Sequence, residues 1–248
     1  MPTGYQTSPV TFCNTSVNQL IDHHSKSTIV HSIEQLLGYK LDARSSQRFV
    51  RNTKEASFLR NPHMIQLMAK GAQRHWMFLT QLNHQNVCVL IERYIKPGYP
   101  FPKMLVVSFQ FNEVLYQNTL MEVDVVTADD DSSVILIADV VVLKDRNVQE
   151  WDPLRRFNVL HTILEKQFID NMALQPCALQ VKALFAPGQW KEMVKLVQSL
   201  PYGTRGLVFL PLNTKFPQRV WIDEHKALGQ SSGGRFDDAS YEKGGECS

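Results

Sequence analysis

Charge of one sign, grouped cysteines and long apolar runs are what this chain lacks. Its 248 residues carry 26 Lys and Arg against 24 Asp and Glu, a formal net charge of +2. A balance so near neutrality creates no global field for nucleic acid, so such a partner would have to be held by a local patch. The four cysteines, Cys13, Cys88, Cys177 and Cys247, are scattered. Their spacing fits neither a zinc site nor a disulfide framework, and reduced thiols in the nucleus or cytoplasm are the expectation. No apolar run approaches the length of a membrane span. The start, Met1-Pro-Thr-Gly-Tyr5, is polar and lacks the apolar core of a secretory signal. A soluble protein without a membrane partner is expected. His23 and His24 are adjacent, but no further ligand follows at a useful spacing, so no metal site is assigned.

What is present is a 44% hydrophobic chain, enough for one large domain. Its centre is the pair of runs Thr119–Val126 and Val134–Leu143, rich in Val, Ile and Leu. They are short enough for strands and are separated by the turn-forming Thr127-Ala-Asp-Asp-Asp-Ser-Ser133. Each carries acid in an apolar setting: Glu122 and Asp124 on the first, Asp139 on the second. An acid inside a strand is costly unless it is paired or used. Glu122 and Asp124, two residues apart, share a face.

Around this hairpin, Ile29–Leu37 reads as a helix ended by Gly38, and residues 39–60 form the most basic stretch. Asn61-Pro62 reads as the cap and first turn of a helix through Met64, Leu67 and Met68. His75–Leu79 and Asn86–Tyr94 form a second hairpin around Asn83-His-Gln85, and Met104–Val107 follows a Pro-rich loop. Asp152-Pro153 opens an amphipathic helix with Leu154, Phe157, Leu160, Ile163, Leu164 and Phe168 at helical spacing. Cys177–Phe185 alternates like a strand, with Lys182 inside it. A helix over Gly188–Val197 and strands at Arg205–Leu210 and Arg219–Ile222 complete the pattern. Strands outnumber helices, which gives an α+β fold with an antiparallel sheet and packed helices.

Five stretches, in order, resemble the covalent nucleotidyltransferase domain of mRNA capping enzymes and DNA or RNA ligases. Ala69-Lys-Gly-Ala-Gln-Arg74 resembles the K-x-D-G-x-R nucleophile motif. The strand leading to Glu122-Val-Asp124 resembles N-T-L-L-D-G-E, and Val134–Leu143 resembles the Y-L-I-Y-D strand. Pro153-Leu-Arg-Arg-Phe157 resembles the helix start P-L-x-x-R-L. Tyr202–Pro211 resembles E-x-D-G-L-I-F-x-P, with Arg219-Val-Trp221 in the place of L-K-W-K. The resemblance implies an antiparallel-sheet nucleotidyltransferase (ATP-grasp/ligase-like) domain. Composition sets off a flexible arm (1–28), a helix and basic segment (29–60) and a disordered tail (229–248), and the resemblance implies that residues 61–228 are the nucleotidyltransferase-like domain.

The departures decide what the resemblance implies for chemistry. Counting back from Arg74, the nucleophile position holds Ala69, and Lys70 comes one residue late. A one-residue slip on a strand turns a side chain to the other face. Asp124 falls where the metal-proximal Glu stands, Ala138 replaces the aromatic before Asp139, and Gly203 and Arg205 replace the acids of the fourth motif. Val220 and Ile222 replace both lysines around Trp221. Adduct formation needs an activated lysine with charge stabilisation around it. The expectation is therefore a pseudoenzyme: non-catalytic binding of a nucleotide or a capped RNA 5′ end, as in the similar snurportin-type cap-binding domain, without a cofactor. Two alternatives stay open. One is an active guanylyltransferase that uses Lys70, Asp124 and Mg²⁺. The other is a scaffold in a capping or transcription complex. The few residues after Trp221 are too short for the OB-fold lid of active capping enzymes, which favours binding or scaffolding. For binding, Trp76 and Trp221 are the candidate stacking residues. Arg74, Lys182, Arg205 and Arg219 are the candidate phosphate contacts, with Glu122 and Asp139 in the same site. The expected partners are an RNA 5′ cap or guanine nucleotide and a protein of RNA processing or nuclear import.

Overall fold

The structure is a computed structural model that describes residues 5–41, 48–50 and 53–223. It is α+β, with three helices and mostly antiparallel sheets among the described residues. The chain opens with a hairpin, β1 (Thr7–Phe12) and β2 (Thr15–Leu20). Helix α1 (His23–Leu37) follows, with the Asp22 carboxylate accepting from the amides of His24 and Ser25. That satisfies two of the amides a helix start leaves open. Gly38, at φ 78°, closes the helix in the left-handed conformation that glycine adopts without strain. A short β3 (Arg48–Phe49) and a 3₁₀ segment (Thr53–Arg60) lead to β4 (His63–Ala69). Then come β5 (Gln73–Leu82), β6 (Gln85–Glu92), β7 (Met104–Val107) and β8 (Gln110–Phe111). The central hairpin is β9 (Thr119–Thr127) and β10 (Ser133–Leu143), followed by β11 (Arg146–Asn147). Helix α2 (Pro153–Lys166) is capped by Asp152 with Pro153 in its first turn. After β12 (Phe168–Ile169), β13 (Ala178–Val181) and β14 (Leu184–Phe185) come α3 (Trp190–Ser199), β15 (Thr204–Pro211) and β16 (Arg219–Ile222).

Two sheets carry the fold. The larger has the order β1-β2-β7-β6-β5-β9-β10-β11, with β13 also pairing with β10. The smaller has the order β14-β4-β15-β16-β3. One face of the larger sheet buries Met77, Leu79, Met121, Val123, Ile135 and Ile137 against Leu160 and Ile163 of α2. The other face is divided. Phe78, Leu120 and Val142 lie under Ile29, Ile33 and Leu37 of α1, while the rest of that face looks toward the smaller sheet. The smaller sheet packs Ile65, Leu67 and Phe209 against Met193 of α3 on its far side. Met68, Val208, Leu210 and Val220 form its near side. A cleft therefore opens between the sheets where α1 stops covering the larger one.

Three expectations are corrected. The segment after Asn61-Pro62 is a central strand of the smaller sheet, paired with β15 on one side and β14 on the other. The Asn-Pro start signal is compatible with a helix, but His63–Ala69 is buried at nearly every position. Such burial on both faces is what a central strand gives, and tertiary pairing overrides the local signal. Residues 7–20 form a paired hairpin rather than an arm, because β2 joins β7 at the sheet edge. His23 and His24 are the first residues of α1, which begins six residues before Ile29. The tail from 229, and Arg44 and Arg51 of the basic segment, lie outside the described residues. No helix among the described residues is long and apolar enough to cross a membrane.

Candidate functional site

Register builds the floor of the cleft. Across the larger sheet, Arg74 stands opposite Asp124 and Trp76 opposite Glu122. On the other side of β9 the ladder shifts between Ile137 and Asp139, so that Asp139, not Ala138, stands opposite Glu122. Directly opposed residues project to the same face. The bulge thus re-aims Asp139 to join Glu122, Asp124 and Arg74, a recurrent use of bulges near sites. It also frees the Ala138 carbonyl, which accepts a hydrogen bond from Gln66 Nε2 of the smaller sheet at 2.9 Å.

With the open solvent at its mouth counted, the cleft encloses about 430 Å³. Arg74, Arg93, Glu122, Asp124, Asp139 and Lys182 supply its charged side. Val208 and Leu210, with Gln66 and Gln218, supply the wall from the smaller sheet. No aromatic side chain lines it among the described residues.

Each acid meets an internal cation. Lys182 Nζ lies 2.5 Å from Asp124 Oδ2, with both side chains largely buried. Arg156 of α2 grips Asp139 with Nε at 2.8 Å and a second nitrogen at 2.9 Å. It also donates to the carbonyls of Gln149 and Trp151. Arg93 reaches Glu122 at 3.2 Å and lies 4.3 Å over the ring of Trp76. Burial pushes the Asp139 carboxyl above its usual range, while the Arg156 guanidinium draws it back. A carboxylate held this way is not available to a divalent cation unless the pair breaks.

The structure brings Arg74, Glu122, Asp124, Asp139 and Lys182 together and leaves the other candidates outside. Trp221 stands opposite Leu207 and is 41% exposed. It therefore points away from the cleft, because its neighbour Val220 takes the inner face. Trp76 is on the right face but sealed, 4% exposed, beneath Arg93 and against the α1 cluster. Arg219 shares the outer face with Phe209 and lies over Phe58, 5.7 Å from the ring centre. Arg205 sits at the register shift between Thr204 and Gly206 and does not line the cleft. Lys70 is exposed at the turn beyond β4, where its amide donates to the Gly203 carbonyl. Ala69 is buried against Val126, Val134 and Leu136.

Four residues that matter here were not singled out from sequence: Gln66, Arg93, Arg156 and Gln218. Gln66 and Arg156 carried a usable signal, a polar side chain within an apolar strand and a second arginine on an amphipathic helix. Arg93 and Gln218 flank strands, where charge and amide groups are ordinary.

No protein-family model matches the chain, and no curated protein matches its sequence.

Proposed function

We propose that this chain is a degenerate, non-catalytic nucleotidyltransferase-type domain that binds a nucleotide or the 5′ end of a capped RNA in the cleft between its sheets. The observation that carries the reading is the cleft itself. A floor bearing Arg74, Arg93 and Lys182 faces the aliphatic wall of Val208 and Leu210, while Lys70 lies outside. Cations opposite an apolar wall suit a ligand with a phosphate end and a flat base end. Covalent chemistry has no support there. The lysine in the cleft is engaged with Asp124, and Ala69 faces a packed apolar cluster. Since no aromatic lines the cleft among the described residues, recognition rests on phosphates and on base edges read by Gln66 and Gln218, rather than on stacking. RNA processing in the nucleus or cytoplasm is the setting this reading implies.

Incubation with labelled GTP and Mn²⁺ followed by denaturing electrophoresis, beside a fluorescence titration with GTP and a methylated cap analogue, tests the proposal. Saturable binding without a covalent band is expected. A metal-dependent band lost in Lys70→Ala would make the protein a guanylyltransferase and end the proposal. The ion pairs across the floor favour a second reading, a scaffold whose cleft stays closed. That reading predicts neither binding nor labelling.

A further inference from the structure

The charges that a metal would serve in this cleft are already served by the protein. Four cationic side chains meet three carboxylates: Arg74, Arg93 and Lys182 on the lining, and Arg156 behind it, against Glu122, Asp124 and Asp139. A divalent cation takes several oxygen ligands, some of them water, and would need at least one of these acids free to join it. Asp139 is bound bidentately by Arg156, and Glu122 is held by Arg93. Asp124, the most enclosed acid with an 8% exposed residue surface, has Lys182 Nζ at 2.5 Å. Among the described residues no group of three His, Cys, Asp or Glu is arranged to hold a metal ion. The lysine is fixed in this place by the fold. Its amide donates to the Ile137 carbonyl at 2.9 Å, beyond the last β10–β13 pair. It thereby stands between the two sheets, 58 residues from its partner acid.

We propose that the Lys182 ammonium stands where a divalent cation would stand, so that a phosphate-bearing ligand is bound in this cleft without metal. Asp124 orients the ammonium, and Arg74 and Arg93 flank the approach. A divalent cation brought to Asp124 would meet the Lys182 ammonium, whereas a phosphate would be drawn to it. A lysine donates to phosphate as a point charge, the role left when no metal bridges the oxygens. The ligand in this inference rests on the nucleotide-binding reading; the relation of Lys182 to a metal position does not.

Two measurements on the full chain test it. In the first, binding of GTP and of inorganic pyrophosphate is followed by calorimetry in Mg²⁺ and in EDTA. The wild-type affinity is expected to change by less than about threefold between the two conditions, and weakening beyond about tenfold in EDTA overturns the proposal. In the second, Mn²⁺ alone is titrated by electron paramagnetic resonance. The wild type is expected to show no site tighter than ~1 mM. Lys182→Met is expected to gain a site that Asp124→Asn/Lys182→Met lacks. A wild-type Mn²⁺ site abolished by Asp124→Asn overturns the proposal, and so does a folded Lys182→Met that gains none. If Lys182→Met does not fold, the wild-type titrations decide alone. If the wild type binds neither GTP nor pyrophosphate in either condition, the nucleotide-binding reading fails, and the Mn²⁺ titration still decides the role of Lys182.

Discussion

Removing Arg156 tests whether the cleft floor is built on a buried ion pair. The Arg156 side chain is 7% exposed and that of Asp139 16%. Two charge-assisted hydrogen bonds join them, and two further bonds cap the carbonyls of Gln149 and Trp151. Such enclosure puts the pair in the regime where losing one partner strands the other, at about 3–5 kcal/mol, and not in the surface regime of ~1 kcal/mol or less. Arg156→Met should therefore lower the unfolding free energy by about 4 kcal/mol, near 10 °C in Tm for a chain of this length. Asp139→Leu should cost a similar amount. Replacing both should recover much of the loss, because the desolvation that pushes the Asp139 carboxyl up disappears with the charges. Urea unfolding of the wild type, both single variants and the double variant gives the coupling energy directly. An Arg156→Met cost below ~1 kcal/mol, or additive single costs, would refute the reasoning.

Three other perturbations follow from the same geometry. A Cβ at Gly206 would lie 2.1 Å from the Trp221 carbonyl oxygen, so Gly206→Ala must push β15 from β16. It should cost at least about 2 kcal/mol by chemical unfolding, and a neutral result would contradict that strand pairing. Burial holds the imidazole of His75 below its ordinary range. Below about pH 6.5 the unfolded chain takes up a proton that the folded state resists, so this contribution to stability is lost as pH falls. Tm should drop more steeply between about pH 7.5 and 5.5 in the wild type than in His75→Gln, and parallel curves would refute it. Trp221 faces away from the cleft, so Trp221→Phe should leave GTP affinity within about twofold, and a larger loss by titration would place Trp221 in the site.

The acids of the site were legible in the chain because their placement is a local matter. Glu122 and Asp124 alternate on a strand whose partner follows after a short polar turn, and two-residue periodicity puts them on one face. The β5–β6 hairpin was equally legible. Asn83 and His84 adopt positive φ, 50° and 64°, in the turn between two apolar runs. Helix ends followed from Gly38 and from Asp152-Pro153, which act on their own neighbours. The central hairpins, the α+β class and the common face of Glu122 and Asp124 are thus determined by sequence, since each depends on residues within one or two turns of chain.

Tertiary structure decided the rest. His63–Ala69 is a strand because β15 and β14 claim both its edges, a choice absent from its own residues. Trp221 turns outward because pairing with β15 assigns the inner face to Val220. Lys182 finds Asp124 across 58 residues, and Cys13 packs against the cluster that holds Cys177 although the two are far apart in the chain. These outcomes depend on which sheet faces meet and in what register. That is settled by the burial of whole faces at once, a sum over distant residues that no local window contains.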